Sequence, residues 1–215
     1  HGLTIVHCLA QGVVWTLIQC GEYEAVLPHI RTLRTAIYRH GIAAWVPVAD
    51  TYSAAIAAFL GERPDPARLR SAFYGVRAGA PQIRHDARYA MLAEAMLANG
   101  QVRDATEVVQ HVLDNSPEPW GHSEFLRLQA AAELALGRTE HAERLLRSAM
   151  DYAGKSGSVA WSLRVAHDRA ALMHQRSETR SAHDLLARAC LPFADQVDTR
   201  DLRNARSLLT RLRES

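Results

Sequence analysis

Phe125-Leu-Arg-Leu-Gln-Ala-Ala-Ala-Glu-Leu-Ala-Leu-Gly137-Arg-Thr-Glu-His-Ala142-Glu-Arg-Leu-Leu-Arg-Ser-Ala-Met150 reads as two helices joined at a glycine. Leu126, Leu128, Ala132, Leu134 and Leu136 approach Gly137 at helical spacing, and Ala142, Leu145, Leu146, Ala149 and Met150 recur every three or four residues beyond it. A glycine there lets the backbone reverse without a Cβ penalty. The two apolar stripes can then face each other, which makes the stretch a helical hairpin.

Gly137 belongs to a series. Gly21, Gly61, Gly100 and Gly137 stand 40, 39 and 37 residues apart, and a fifth pivot falls at about Ser177, 40 residues further on. A small residue precedes each pivot by about seven positions (Val14, Ala54, Ala93, Ala130, Ala170). Another follows by four or five (Ala25, Ala105, Ala142, Ala182), where it would let paired helices approach closely. A regular period of this size without strand-like alternation predicts an all-α fold, an α-solenoid. The expected layout is a single helical-repeat domain over 1–215, with hairpins at about 1–40, 41–80, 81–116, 117–156 and 157–196 and a C-terminal capping helix at about 199–213. Asp198 and Thr199 supply the N-cap of that last helix, whose apolar side carries Leu202, Ala205, Leu208, Leu209 and Leu212. The least regular turn is Gly61-Glu-Arg-Pro-Asp-Pro, after which Arg68 to Gly79 is expected to form a short or distorted helix.

Composition narrows the function. Of 215 residues 48% are hydrophobic and 22% charged, so the chain can fold, and its net charge of +2 is spread without the dense basic stripe that phosphate binding needs. Direct nucleic-acid binding is not expected. Lys155 is the only lysine. Cys8, Cys20 and Cys190 form no C-x-x-C pair and read as small core hydrophobes in a reducing compartment. The apolar run Ile42 to Leu60 is interrupted by Pro47, Asp50, Thr51 and Ser53, so no membrane span is expected and the location reads as cytoplasmic. A start at His1, inside a helical pattern, fits a fragment of a longer protein.

The pattern Leu92-Ala93, Gly100, Ala105 and Pro117, repeated as Gly137, Ala142, Leu146 and Ala149, resembles the tetratricopeptide repeat, with a longer spacing than is usual. That resemblance implies a right-handed α-solenoid. More narrowly, Tyr89-Ala-Met-Leu-Ala-Glu-Ala, Ala142-Glu-Arg-Leu-Leu-Arg-Ser-Ala, Ser158-Val-Ala-Trp161-Ser-Leu-Arg-Val-Ala and Asp198-Thr-Arg-Asp-Leu-Arg-Asn-Ala-Arg-Ser-Leu-Leu209 resemble the C-terminal repeat region of large bacterial signalling ATPases. There an ATPase module precedes the repeats, and the N-terminus carries a winged-helix DNA-binding domain or an adenylate/guanylate cyclase domain. The fifth pivot, Gln175-Arg-Ser-Glu, departs from the pattern by lacking glycine.

The resemblance implies a non-catalytic sensing or oligomerisation arm of a signalling protein or transcriptional regulator. Its partners would be its own upstream domains, a second copy or another protein, with a small-molecule inducer as the alternative. In tetratricopeptide hairpins the first helix lines the concave side, which carries the binding role onto Gln11, Trp15, Thr51, Glu94, Glu124, Arg127, Arg164, His167 and His174. No cofactor is implied. His167 and His174 share a helical face but stand about 10 Å apart along it, too far to share one zinc ion easily. No G-x-S-x-G elbow or cysteine in a pKa-lowering setting is present, so catalysis by this segment is not expected. Trp45, Trp120 and Trp161, each near the start of a first helix, read as seals against the preceding hairpin. Arg31, Arg34, Arg39 and His40 read as an exposed helix face more than as a phosphate site.

Overall fold

A computed structural model describes residues 1–79, 85–116, 121–193 and 198–214, and all regular structure among them is helical. The chain divides into two compact units, His1–Pro117 and Glu118–Ser215.

In the first unit, α1 (Gly2–His7), a π-helical turn (Cys8–Val14) and α2 (Trp15–Cys20) run on as one 19-residue helix. Then follow α3 (Tyr23–Arg39), a short 3-10 turn, α4 (Val46–Phe59), α5 (Pro66–Gly79), α6 (His85–Ala98) and α7 (Val102–Asn115). The second unit holds α8 (His122–Ala135), α9 (Thr139–Lys155), α10 (Val159–Gln175), α11 (Thr179–Cys190) and α12 (Arg200–Arg213).

The pivots are where the spacing places them. Gly21, Gly61, Gly100 and Gly137 have φ between 76° and 78°, and Ser177 takes φ 64° although it has a side chain. At each, the following residue donates its N–H to the carbonyl five positions back, as in Arg138 to Glu133 at 2.9 Å and Glu178 to Met173 at 3.0 Å. That bond closes a Schellman turn and satisfies a helix-end carbonyl.

Packing within each unit is serial. In the second unit α8 pairs with α9, α10 with α11, and α10 also touches α8, α9 and α12. Helix α10 buries side chains on two faces. Val165 and Leu172 join Ala130 of α8 and Ala142, Leu146 and Ala149 of α9 in one cluster. Leu163, Ala166 and Ala170 join Ala182 and Leu186 of α11 and Leu202, Ala205, Leu208 and Leu212 of α12 in the next. In the first unit α4 plays the same part, with Ala54, Ala55, Ile56, Ala57 and Ala58 all buried and with α3, α5 and α6 around it. By contrast α7, α9 and α11 each bury a single stripe and keep polar residues outside.

The predicted small residues are buried at Val14, Ala54, Ala93, Ala130, Ala170, Ala105, Ala142 and Ala182. Ala25 departs: it is exposed, because the buried face of α3 runs through Tyr23, Val26, Ile30 and Leu33. Cys8 is exposed as well, while Cys20 and Cys190 are half-buried. The stretch expected to be distorted is a regular 14-residue helix, α5, whose start is held by Asp65 Oδ1 accepting from the Ala67 N–H at 2.9 Å. The Thr199 hydroxyl caps α12 by accepting from the Leu202 N–H.

Among the described residues one helix, Gly2–Cys20, is long and apolar enough to cross a membrane, a feature the interrupted run at Ile42 to Leu60 does not signal. Its Val6, Ala10, Val14, Trp15 and Ile18 are buried in the first unit.

Candidate functional site

Four of the residues placed on the concave side come together in the second unit. Glu124 and Arg127 stand three apart in the first turns of α8, hence on one face. Arg127 grips Glu124 with both Nε and Nη2, each at 2.8 Å from a carboxylate oxygen, and extends Nη1 to Asp168 Oδ2 of α10 at 2.8 Å. From α10, Arg164 donates through Nη1 to Glu124 Oε1 at 2.7 Å and through Nε to Asp201 Oδ2 of α12 at 2.6 Å. His167 Nδ1 lies 3.0 Å from Asp168 Oδ1, and Arg200 Nη2 lies 3.3 Å from Asp201 Oδ1. Three helices are thereby tied through one polar chain.

The electrostatics are balanced. Glu124, Asp168 and Asp201 stand against Arg127, Arg164 and Arg200. Glu124 is only 4% exposed. Burial alone would raise its pKa, but Arg127 and Arg164 outweigh that effect and hold it down at about 2. Burial acts on Asp168 in the same way and is again overcome, by Arg127 and by the hydrogen bond with His167, so its pKa is also lowered. A general acid working near neutral pH needs the opposite shift. These carboxylates are built to stay ionised and bonded, so the network acts as a brace between helices.

The remaining candidates lie elsewhere. His174 Nδ1 is 3.2 Å from the Thr179 hydroxyl, separate from His167. In the first unit Trp15 and Thr51 are buried, and the Thr51 hydroxyl donates to the Pro47 carbonyl at 2.7 Å. Gln11 and Glu94 are half-buried. Trp15, Thr51, Glu124 and Arg127 thus lie inside the packing and offer little open face.

Sequence reading missed a second buried polar arrangement. The Tyr52 hydroxyl of α4 donates to the Ala10 carbonyl in the π-helical turn at 3.1 Å. Arg88 of α6 is 1% exposed and hydrogen-bonds Tyr52, with its pKa lowered by burial. Neither residue carries a motif that would single it out.

Two of the tryptophans pack as expected. Trp45 is buried edge-on to His7, and Trp161 lies so close to Gly121 that a Cβ there would meet its ring at 3.1 Å. Trp120 lies outside the described residues. Among the described residues no three His, Cys, Asp or Glu side chains gather as metal ligands. The sequence matches no family model, no curated protein and no solved structure.

Proposed function

We propose that this chain is a tetratricopeptide-like right-handed α-solenoid of about five hairpins with a terminal capping helix, whose task is to bind protein. The observation that carries this reading is α10, which buries Leu163, Ala166 and Ala170 in one cluster and Val165 and Leu172 in another. A helix that is core to the hairpins before and after it is the building rule of repeat arrays, and such arrays leave an extended surface for a partner. The polar contacts repeat the rule, since Glu124 and Arg164, Arg127 and Asp168, and Arg164 and Asp201 are 40, 41 and 37 residues apart.

In this reading the segment is the non-catalytic regulatory or oligomerisation arm of a bacterial, cytoplasmic signalling ATPase or transcriptional regulator. It would contact its own upstream domains, a second copy or another protein through the half-buried side chains Arg164, His167 and His174 and their counterparts Gln11 and Glu94. The network fixes the positions of Arg164 and His167 before a partner arrives, which lowers the ordering cost of binding. Light scattering and pull-down with the full-length protein's other domains test this. Association weakened by substitution at His167 and His174 is expected; a strictly monomeric chain that captures none of those domains would overturn it.

A further inference from the structure

The basic residues of α3 do not form one surface. Arg34 turns to one side of the helix, where Nη2 lies 2.6 Å from Asp50 Oδ1 and 3.1 Å from the Ser53 hydroxyl of α4. Arg31, Arg39 and His40 are exposed on the side towards α1, where with Ile5, Thr32, Thr35 and Ala36 they line an open cleft of about 340 Å³. No acidic residue lines it. Among the described residues no carboxylate pairs with Arg31 or Arg39, whereas Arg127 and Arg164 in the second unit's network each hold two.

Three further details shape this cleft. Arg31 and Arg39 are two turns apart, about 12 Å along the axis, with Thr35 midway between them on the same face. The Thr32 and Thr35 hydroxyls donate to the Pro28 and Arg31 carbonyls at 3.0 Å, so the free donors are the cationic groups. His40 lies against the start of α1 so closely that a Cβ on Gly2 would sit 2.3 Å from its Cγ, a position only glycine permits.

We propose that the α1–α3 cleft binds a small organic oxyanion, a carboxylate or a phosphate ester, gripped by Arg31 and Arg39 with its apolar part against Ile5 and Ala36. Unpaired guanidiniums match both oxyanions through paired N–H donors. The volume is at the lower end of the range for small-molecule sites, about 300–1,000 Å³, and the apolar Ile5 side chain, 47% exposed, gives such a molecule a surface that a bare inorganic ion would not use. The proposal is independent of the protein-binding reading: either can fail while the other stands.

Calorimetric titration of the full chain at low salt with inorganic phosphate, succinate and glycerol phosphate tests it. Saturable binding of succinate identifies a carboxylate ligand, and of glycerol phosphate a phosphate ester; each should exceed inorganic phosphate. R31Q and R39Q should each weaken that binding about tenfold or more, the loss of one charge-assisted contact, while R103Q, an exposed arginine outside the cleft, leaves it unchanged. Both cleft variants remove exposed side chains that pair with no carboxylate among the described residues, so their melting temperatures should match the parent and a binding loss is not a folding loss. G2A, which crowds His40, should also reduce affinity. No saturable binding, binding indifferent to R31Q and R39Q, or a preference for a polyglutamate peptide over both organic probes would overturn the proposal.

Discussion

Arg164 Nη1 lies 2.7 Å from Glu124 Oε1 across 40 residues of sequence. The same arginine reaches 2.6 Å to Asp201, 37 residues on, so a single side chain of α10 is bonded to both α8 and α12. Apolar packing of these three helices brings the charged groups out of water, and the charged groups then have to satisfy one another.

Glu124→Gln should destabilise the chain by about 3 kcal/mol, because two largely desolvated guanidiniums lose their shared counter-charge. Replacing Glu124, Arg127 and Arg164 together by apolar residues of similar size should cost less than that single change, since no charge is then left uncompensated. Urea unfolding of both variants measures the difference.

Acid should unfold the protein through the same carboxylates. Glu124 is held at about 2 when folded, below its unfolded value of about 4, and Asp168 is lowered as well. The stability they contribute is therefore fully present above pH 4 or so and lost as pH falls towards 2. Thermal melts across this range should show the midpoint dropping, and E124Q should flatten the drop.

Turn glycines give a graded test. Ser177 holds φ 64° with a side chain, so Ser177→Gly should stabilise by about 0.5–1 kcal/mol. Gly137→Ala meets no atom within 4 Å and should cost about 1 kcal/mol from conformation alone. Gly121→Ala, at φ 81° and with Trp161 3.1 Å from the new Cβ, should cost more than Gly137→Ala. Differential scanning calorimetry ranks the three.

Some of this was readable in the sequence for a plain reason. A left-handed turn residue selects glycine, so Gly21, Gly61, Gly100 and Gly137 announce themselves, and Ser177 is found by spacing alone. The end helix was equally legible, since Leu202, Ala205, Leu208 and Leu212 follow one face. The brace was only half legible. Glu124, Arg127, Arg164 and His167 were candidates because they lie on first helices, but Asp168 and Asp201 look like any solvated helix charge until neighbouring hairpins bring them to the arginines. Their separations of 41 and 37 residues were the available signal. Tyr52 and Arg88 had none, because their contact depends on how α4 and α6 pack. Ala25 shows the converse: a small residue at the expected spacing stays outside when the buried stripe of its helix runs elsewhere.

Native-state hydrogen exchange of Leu208→Ala tests the serial packing most directly. Leu208 is 2% exposed and lies in the α10–α12 cluster, and its truncation should cost about 2–5 kcal/mol. Serial packing predicts that protection falls most in α11 and α12, less in α10, and least in α8 and α9, whose cluster Leu208 does not enter. An equal loss of protection across α8 to α12 would mean one shared core and would contradict it.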